Sequence, residues 1–209
     1  VAFNMPIFFL MLGLTMGLGA GVTASIARFI GEDDKISADN AAEHALAMAV
    51  VISFIFTILG ILYGKNLLIF LGAKNVILEL AWHYLSTMVI GLPFMVFSGF
   101  FRSILAGEGD MKFPMMIAGL GTVINIILDP IFIFKLEKFG NFGLGLGVKG
   151  AALATVISQF IVFIIFIYML FVKKHAYVVF NLKYFSPSRF ILWDIIKVGV
   201  PASLSMTIM

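Results

Sequence analysis

Asp129 stands in the run Thr122-Val-Ile-Asn-Ile-Ile-Leu-Asp-Pro130 and is the one carboxylate set deep in a long apolar stretch. Thr122, Asn125 and Asp129 are spaced i, i+3, i+7, so a helix puts all three polar side chains on one face. Pro130 has no N–H to donate, and its ring presses on the carbonyl of Ile126, so a backbone acceptor is freed nearby. A carboxylate, an amide, a hydroxyl and a loosened carbonyl on one strip suit a proton or a small cation such as Na⁺ at Asp129 and Asn125. Further on, Thr155 and Gln159 are i, i+4 and make a second polar strip. Thr122 and Gln159 are read as cavity-lining. The competing reading of Asp129 is a buried carboxylate hydrogen-bonded to Asn125 that only fixes packing. An ionisable group inside a bilayer is costly enough that function is the first expectation.

Other chemistries find no residues to carry them. The sequence has no cysteine, which removes disulfides, thiolate catalysis and Cys-based zinc sites. His44, His83 and His175 are far apart and share no ligand spacing. Gly145-Leu-Gly-Val-Lys-Gly150 matches the glycine pattern of dinucleotide folds, but no strand precedes it and no acidic partner follows. It is read as a loop whose small residues let the next helix pack closely. No Ser-His-Asp set or H-E-x-x-H motif is present, and an aspartyl protease would need a second carboxylate at the depth of Asp129. The chain is read as a non-enzyme with no cofactor and no nucleic-acid partner.

What must position these strips is a membrane bundle. Apolar residues make up 62% of the 209 and charged residues 12%, with a mean hydropathy of +1.11. A soluble domain is nearer half apolar and a quarter charged. A spanning helix needs roughly 20 apolar residues, and five runs qualify: about 6–29, 40–63, 76–101, 113–134 and 148–172. The fold class is therefore an all-α polytopic membrane protein, five complete spans plus the start of a sixth.

Along the first run Gly13, Gly17, Gly21 and Ser25 recur at intervals of four, a face that lets another helix approach. Asp39 or Ser37 is expected to cap the second helix, with Glu43 and His44 near the interface in no special role. Residues 65–74 read as a link. Glu79 and His83 are i, i+4 near the start of the third run and read as an interfacial pair. Residues 102–114 read as a tight charged connection turning at Gly107 and Gly109, with Asp110 as a cap. Residues 188–197 have the pattern of a short interfacial helix, and a sixth apolar run opens at Val198-Gly-Val-Pro201. Phe and Met are abundant and are assigned to lipid, core or an adaptable cavity.

Loop charge gives orientation. Arg28, Lys35, Arg102, Lys112, Lys173, Lys174, Lys183, Arg189 and Lys197 fall on one side, and Lys65, Lys74, Lys135, Lys138 and Lys149 on the other. The nine-to-five excess places the first set in the cytoplasm. The apolar start at Val1, without an initiator Met, and the apolar end at Met209 lead to the expectation of a piece of something longer.

These residues resemble the multidrug and toxic compound extrusion (MATE) transporters. The likeness runs through Gly17-Leu-Gly-Ala-Gly21, Ala27-Arg-Phe-Ile-Gly31, Ala41-Ala-Glu-His-Ala45, Arg102 with Gly109-Asp-Met-Lys-Phe-Pro114, Asn125-Ile-Ile-Leu-Asp-Pro130, and Gly147-Val-Lys-Gly-Ala-Ala-Leu-Ala-Thr155. It implies a twelve-helix transporter of two six-helix lobes around a central cavity, in the inner (plasma) membrane. This chain would hold helices two to seven: residues 1–172 in the first lobe, 173–197 as a cytoplasmic linker, and 198–209 opening the second lobe. It also implies a cation or proton site at Asn125, Asp129 and Thr155, to which a helix-one Asp outside this chain would add. The NorM-like branch tends to carry Glu eight residues past the helix-seven Pro; Met209 at that place favours the DinF-like branch. The implied function is exchange of H⁺ or Na⁺ for amphipathic, often cationic, compounds, with membrane lipids and the rest of its own chain as partners. A flippase for a lipid-linked or polyanionic substrate is the alternative; it would need Arg or Lys in the cavity, and no complete run carries a deep cation. A non-transporting membrane scaffold is the third.

Overall fold

The computed structural model describes residues 2–135, 143–180 and 185–208. Lys138 and Lys183 of the loop-charge comparison, and Met209 of the branch comparison, lie outside the described residues. Among the described residues six α-helices follow one another: α1 (Met5–Gly31), α2 (Lys35–Phe70), α3 (Asn75–Gly107), α4 (Lys112–Ile133), α5 (Val148–Ile167) and α6 (Arg189–Ile208). A wider turn, Tyr168–Val172, extends α5. Among the described residues five helices, α1 to α5 with its extension, are long and apolar enough to cross a membrane.

Helix ends depart from the hydropathy runs. Asp34, not Asp39 or Ser37, caps α2: its carboxylate accepts from the Ser37 N–H at 3.0 Å. With 36 residues, α2 is about 54 Å long at 1.5 Å per residue, more than a bilayer's full ~40–45 Å. Lys65 lies within it, so the expected 65–74 link shrinks to residues 71–74. Similarly, α3 does not stop at Phe101. Residues 102–107 are helical, and the tight connection is only residues 108–111, with Gly109 at φ +88° making the turn. Lys and Arg are good helix formers, so a charge that ends a hydropathy window need not end a helix. The short interfacial helix and the sixth apolar run are likewise one helix, α6, with Pro201 inside it.

The middle of the bundle is α3, which packs on α1, α2 and α5. Of its apolar window 56% is buried, against 11–28% for the other four spans. Phe100, Phe101, Ile104 and Leu105 on α3 meet Val22 and Ile26 of α1 and Phe166 of α5 in the main core. The small face of α1 receives α6. A Cβ at Gly17 would strike Ser203, and one at Gly21 would strike the Ile195 carbonyl. Between helices in lipid, close van der Waals contact and polar bonds do what hydrophobic burial does in water. Gly150 plays the part expected of the glycine loop, since a Cβ there would collide with the Phe132 carbonyl of α4.

Candidate functional site

Helices α4 and α5 run antiparallel, and their polar strips face a cavity of about 250 Å³ closed on the third side by α3. Thr122 and Asn125 line it from α4, Thr155, Ser158 and Gln159 from α5, and Ser98 and Arg102 from α3. Asn125 and Thr155 are brought together: the amide Nδ2 points at the Thr155 hydroxyl oxygen at 3.5 Å, a long contact. The Thr155 proton goes to the Ala151 carbonyl at 3.0 Å, and that of Thr122 to Ala118 at 3.1 Å.

Asp129 is half-buried on α4, one turn beyond Asn125 and outside the cavity's lining. Among the described residues no hydrogen bond joins it to Asn125 or Thr155, and its electrostatic neighbour is Tyr84 of α3. Pro130 does not end α4, which continues to Ile133. The five residues expected at the site thus divide: four share the cavity and Asp129 stands above it. Glu79 and His83 are both exposed, and among the described residues no ion pair joins them.

Three polar residues at the cavity escaped the sequence reading: Ser158 on α5, and Arg102 and Ser98 on α3. The sequence reading places Arg102 in a loop; the longer α3 carries it on the helix instead and brings it, still exposed, to the cavity wall. Ser98, one turn earlier, is 2% exposed, and its hydroxyl has no partner. Their i, i+4 spacing would have shown the pair once the helix was carried past Phe101.

At the end of the bundle bearing the basic connections, carboxylates hold the chain that follows α5. Glu108 accepts from the backbone N–H groups of Tyr177 at 3.0 Å and Val178 at 2.8 Å. Burial nevertheless pushes the Glu108 carboxyl up, against the pull of these two donors. Asp110 caps α4 as expected, accepting from Phe113 N–H at 3.1 Å, and its other oxygen meets His175 Nε2 at 2.9 Å. The Phe113 backbone bond is the main cause of its lowered carboxyl pKa. Asp39 accepts from Val179 N–H at 2.9 Å, and Lys35 reaches both Asp39 and the Tyr177 carbonyl. His44, expected to have no special role, is 5% exposed and bonded at both nitrogens, to the Asn40 carbonyl and the Ser188 N–H.

The described residues form a helical bundle of membrane-crossing length with a polar cavity between three helices, and comparison with known proteins gives its family. The MatE family model matches residues 1–131, so the chain belongs to the MATE family. It is 29% identical to the "Multidrug export protein MepA" of Staphylococcus aureus (strain MRSA252) over 211 aligned residues, covering all of this chain and 44% of that protein. It is 30% identical to the "FAD transporter" of Shewanella oneidensis over 173 residues, covering 83% of this chain and 37% of that one. A solved structure, "Inward-facing conformation of a multidrug resistance MATE family transporter of the MOP superfamily", matches with TM-score 0.90 and 40% identity, over 98% of this chain and 45% of that chain. The chain therefore spans less than half the length of the relatives it matches.

Proposed function

We propose that this chain forms the first lobe of a secondary active efflux transporter that exchanges H⁺ or Na⁺ for amphipathic, often cationic, small molecules across the plasma membrane. In this reading residues 1–172 are the lobe, 173–197 a cytoplasmic inter-lobe connection, and the rest the opening of the second lobe. The observation that carries it is the cavity between α3, α4 and α5, where Asn125 and Thr155 meet one turn from Asp129, the one carboxylate of α4. Such groups inside an apolar bundle are retained where they do work. Asp129 would take up the driving ion from one side and release it to the other, aided by Asn125 and Thr155. Charge change beside Pro130 would alter the bend of α4, and coupling follows if ion and drug bind the two bends unequally. One lobe cannot rock by itself, so transport belongs to the full-length protein.

The test is dye efflux from vesicles holding the full-length protein, driven by a pH or a Na⁺ gradient, wild type beside Asp129→Asn. Efflux under one gradient, lost in the variant at equal expression, supports antiport through this site and names the ion. Undiminished efflux by the variant removes Asp129 from the mechanism. The likeness to the FAD transporter supports a second reading, export of a larger organic anion on the same scaffold.

A further inference from the structure

The cavity is graded in polarity. Four hydroxyls line it, and three have already given their protons to carbonyls of their own helices: Thr122 to Ala118, Thr155 to Ala151 and Ser158 to Ala154. Their oxygens offer lone pairs only, which suits a cation or an N–H donor. Ser98 is the exception, buried with an uncommitted hydroxyl. Arg102 lies one turn from it on the same face of α3, and no carboxylate is among the lining residues. Among the described residues Arg102 has neither a hydrogen bond nor an ion pair. A guanidinium offers five donors in a planar fork that fits carboxylate or phosphate. A buried hydroxyl without a partner is unfavourable unless something completes it, and Arg102, itself exposed, has its donors free one turn away.

We infer that Arg102 and Ser98 form an anion subsite, which takes the carboxylate or phosphate of a transported amphiphile whose cationic part faces Asn125 and Asp129. The substrates would then be zwitterions in preference to plain cations. This rests on the efflux reading above and narrows its substrate class. The volume agrees: about 250 Å³ is below the ~300–1,000 Å³ of whole drug pockets, enough for a head group while the remainder lies outside. The two charges bracket the cavity, with Arg102 near the basic end and Asp129 a turn past the opposite one.

The experiment uses the full-length protein in vesicles and two probes differing in one group, a rhodamine with a free carboxylate and its methyl ester. Binding and gradient-driven efflux are measured for wild type, Arg102→Gln, Arg102→Lys and Ser98→Ala. The subsite predicts tighter binding of the acid by wild type, a loss of about tenfold or more for the acid alone in Arg102→Gln, and a smaller loss in Ser98→Ala. Arg102→Lys, keeping the charge, should retain part of the preference and show that the position tolerates change. Equal losses for acid and ester would make Arg102 structural and overturn the inference. An acid-to-ester ratio near one in wild type, with the ester still exported, overturns the subsite and leaves efflux standing. Export of neither probe overturns both. Adding phosphatidylglycerol to the vesicles separates the sources of the anion: if it removes the Arg102-dependent preference, a lipid head group owns the subsite and the substrate assignment fails.

Discussion

Arg28 on α1 and Asp194 on α6 meet at 2.9 Å, and Ser25 donates to the other Asp194 oxygen at 2.8 Å. One carboxylate thus takes two bonds from the helix it packs against, at the end of a face kept open by Gly17 and Gly21. Arg28 is 41% exposed and Asp194 20%, so screening limits the ion pair to about 1 kcal/mol. Replacing Asp194 by Asn should lower thermal stability by about that amount. The loss should shrink in high salt and fall to what the Ser25 bond alone contributes when Arg28 is already replaced by Gln. A double-mutant cycle on unfolding in detergent measures it, and additive effects of the two changes would show that the pair contributes nothing.

Gly21 tests the same contact through its backbone. A methyl group there runs into the Ile195 carbonyl, which no side-chain rotation can relieve. Gly21→Ala should therefore cost roughly 1–3 kcal/mol and loosen α6, seen as faster amide exchange along it. Gly119→Ala is the matched control. A Cβ there meets nothing within 4 Å, so helix propensity should make the change neutral or favourable by up to about 1 kcal/mol.

The spans were readable because a bilayer fixes both length and composition, and each apolar run falls on a helix. Their ends were not, since hydropathy stops at a charge while the backbone ladder continues; Lys65 and Arg102 are both such cases. The strip of Thr122 and Asn125 follows from helical period alone, and the structure turns it to the cavity. Period also put Asp129 on that strip, but it has no term for depth, and the carboxylate sits a turn beyond. Ser98 and Arg102 were hidden by the misplaced end of α3. The grip of Glu108 and Asp39 on residues 177–179 left no trace in the sequence, because its donors are backbone groups that every residue carries.

The Asn125–Thr155 contact should matter more for coupling than for stability. At 3.5 Å it is a weak bond, and Thr155→Val keeps the shape while removing the hydroxyl. Unfolding should change by no more than about 1 kcal/mol. If the pair helps hold the driving ion, gradient-driven efflux by the full-length protein should fall several-fold, and more ion should restore it. Loss of efflux that no ion concentration rescues would place Thr155 in packing instead.

Glu108 and Asp110, two residues apart, should give the fold opposite pH dependences. Folding raises the Glu108 carboxyl above its ordinary 4.5, so it binds its proton more readily in the folded state. Its contribution is complete below that value and is lost as pH rises through the raised one. Folding lowers Asp110 below 3.8, mainly through the Phe113 N–H. Its contribution is complete above 3.8 and is lost as pH falls through the lowered value. The two together favour the fold most between their ordinary values. Asp110→Asn should flatten only the acid limb of a Tm-against-pH curve, by about 1–2 °C for so exposed a group. Glu108→Gln should flatten only the limb above 4.5. Protection of the Tyr177 and Val178 amides reads the second effect directly, since both donate to Glu108, and identical curves for wild type and both variants would show that neither group is linked to folding.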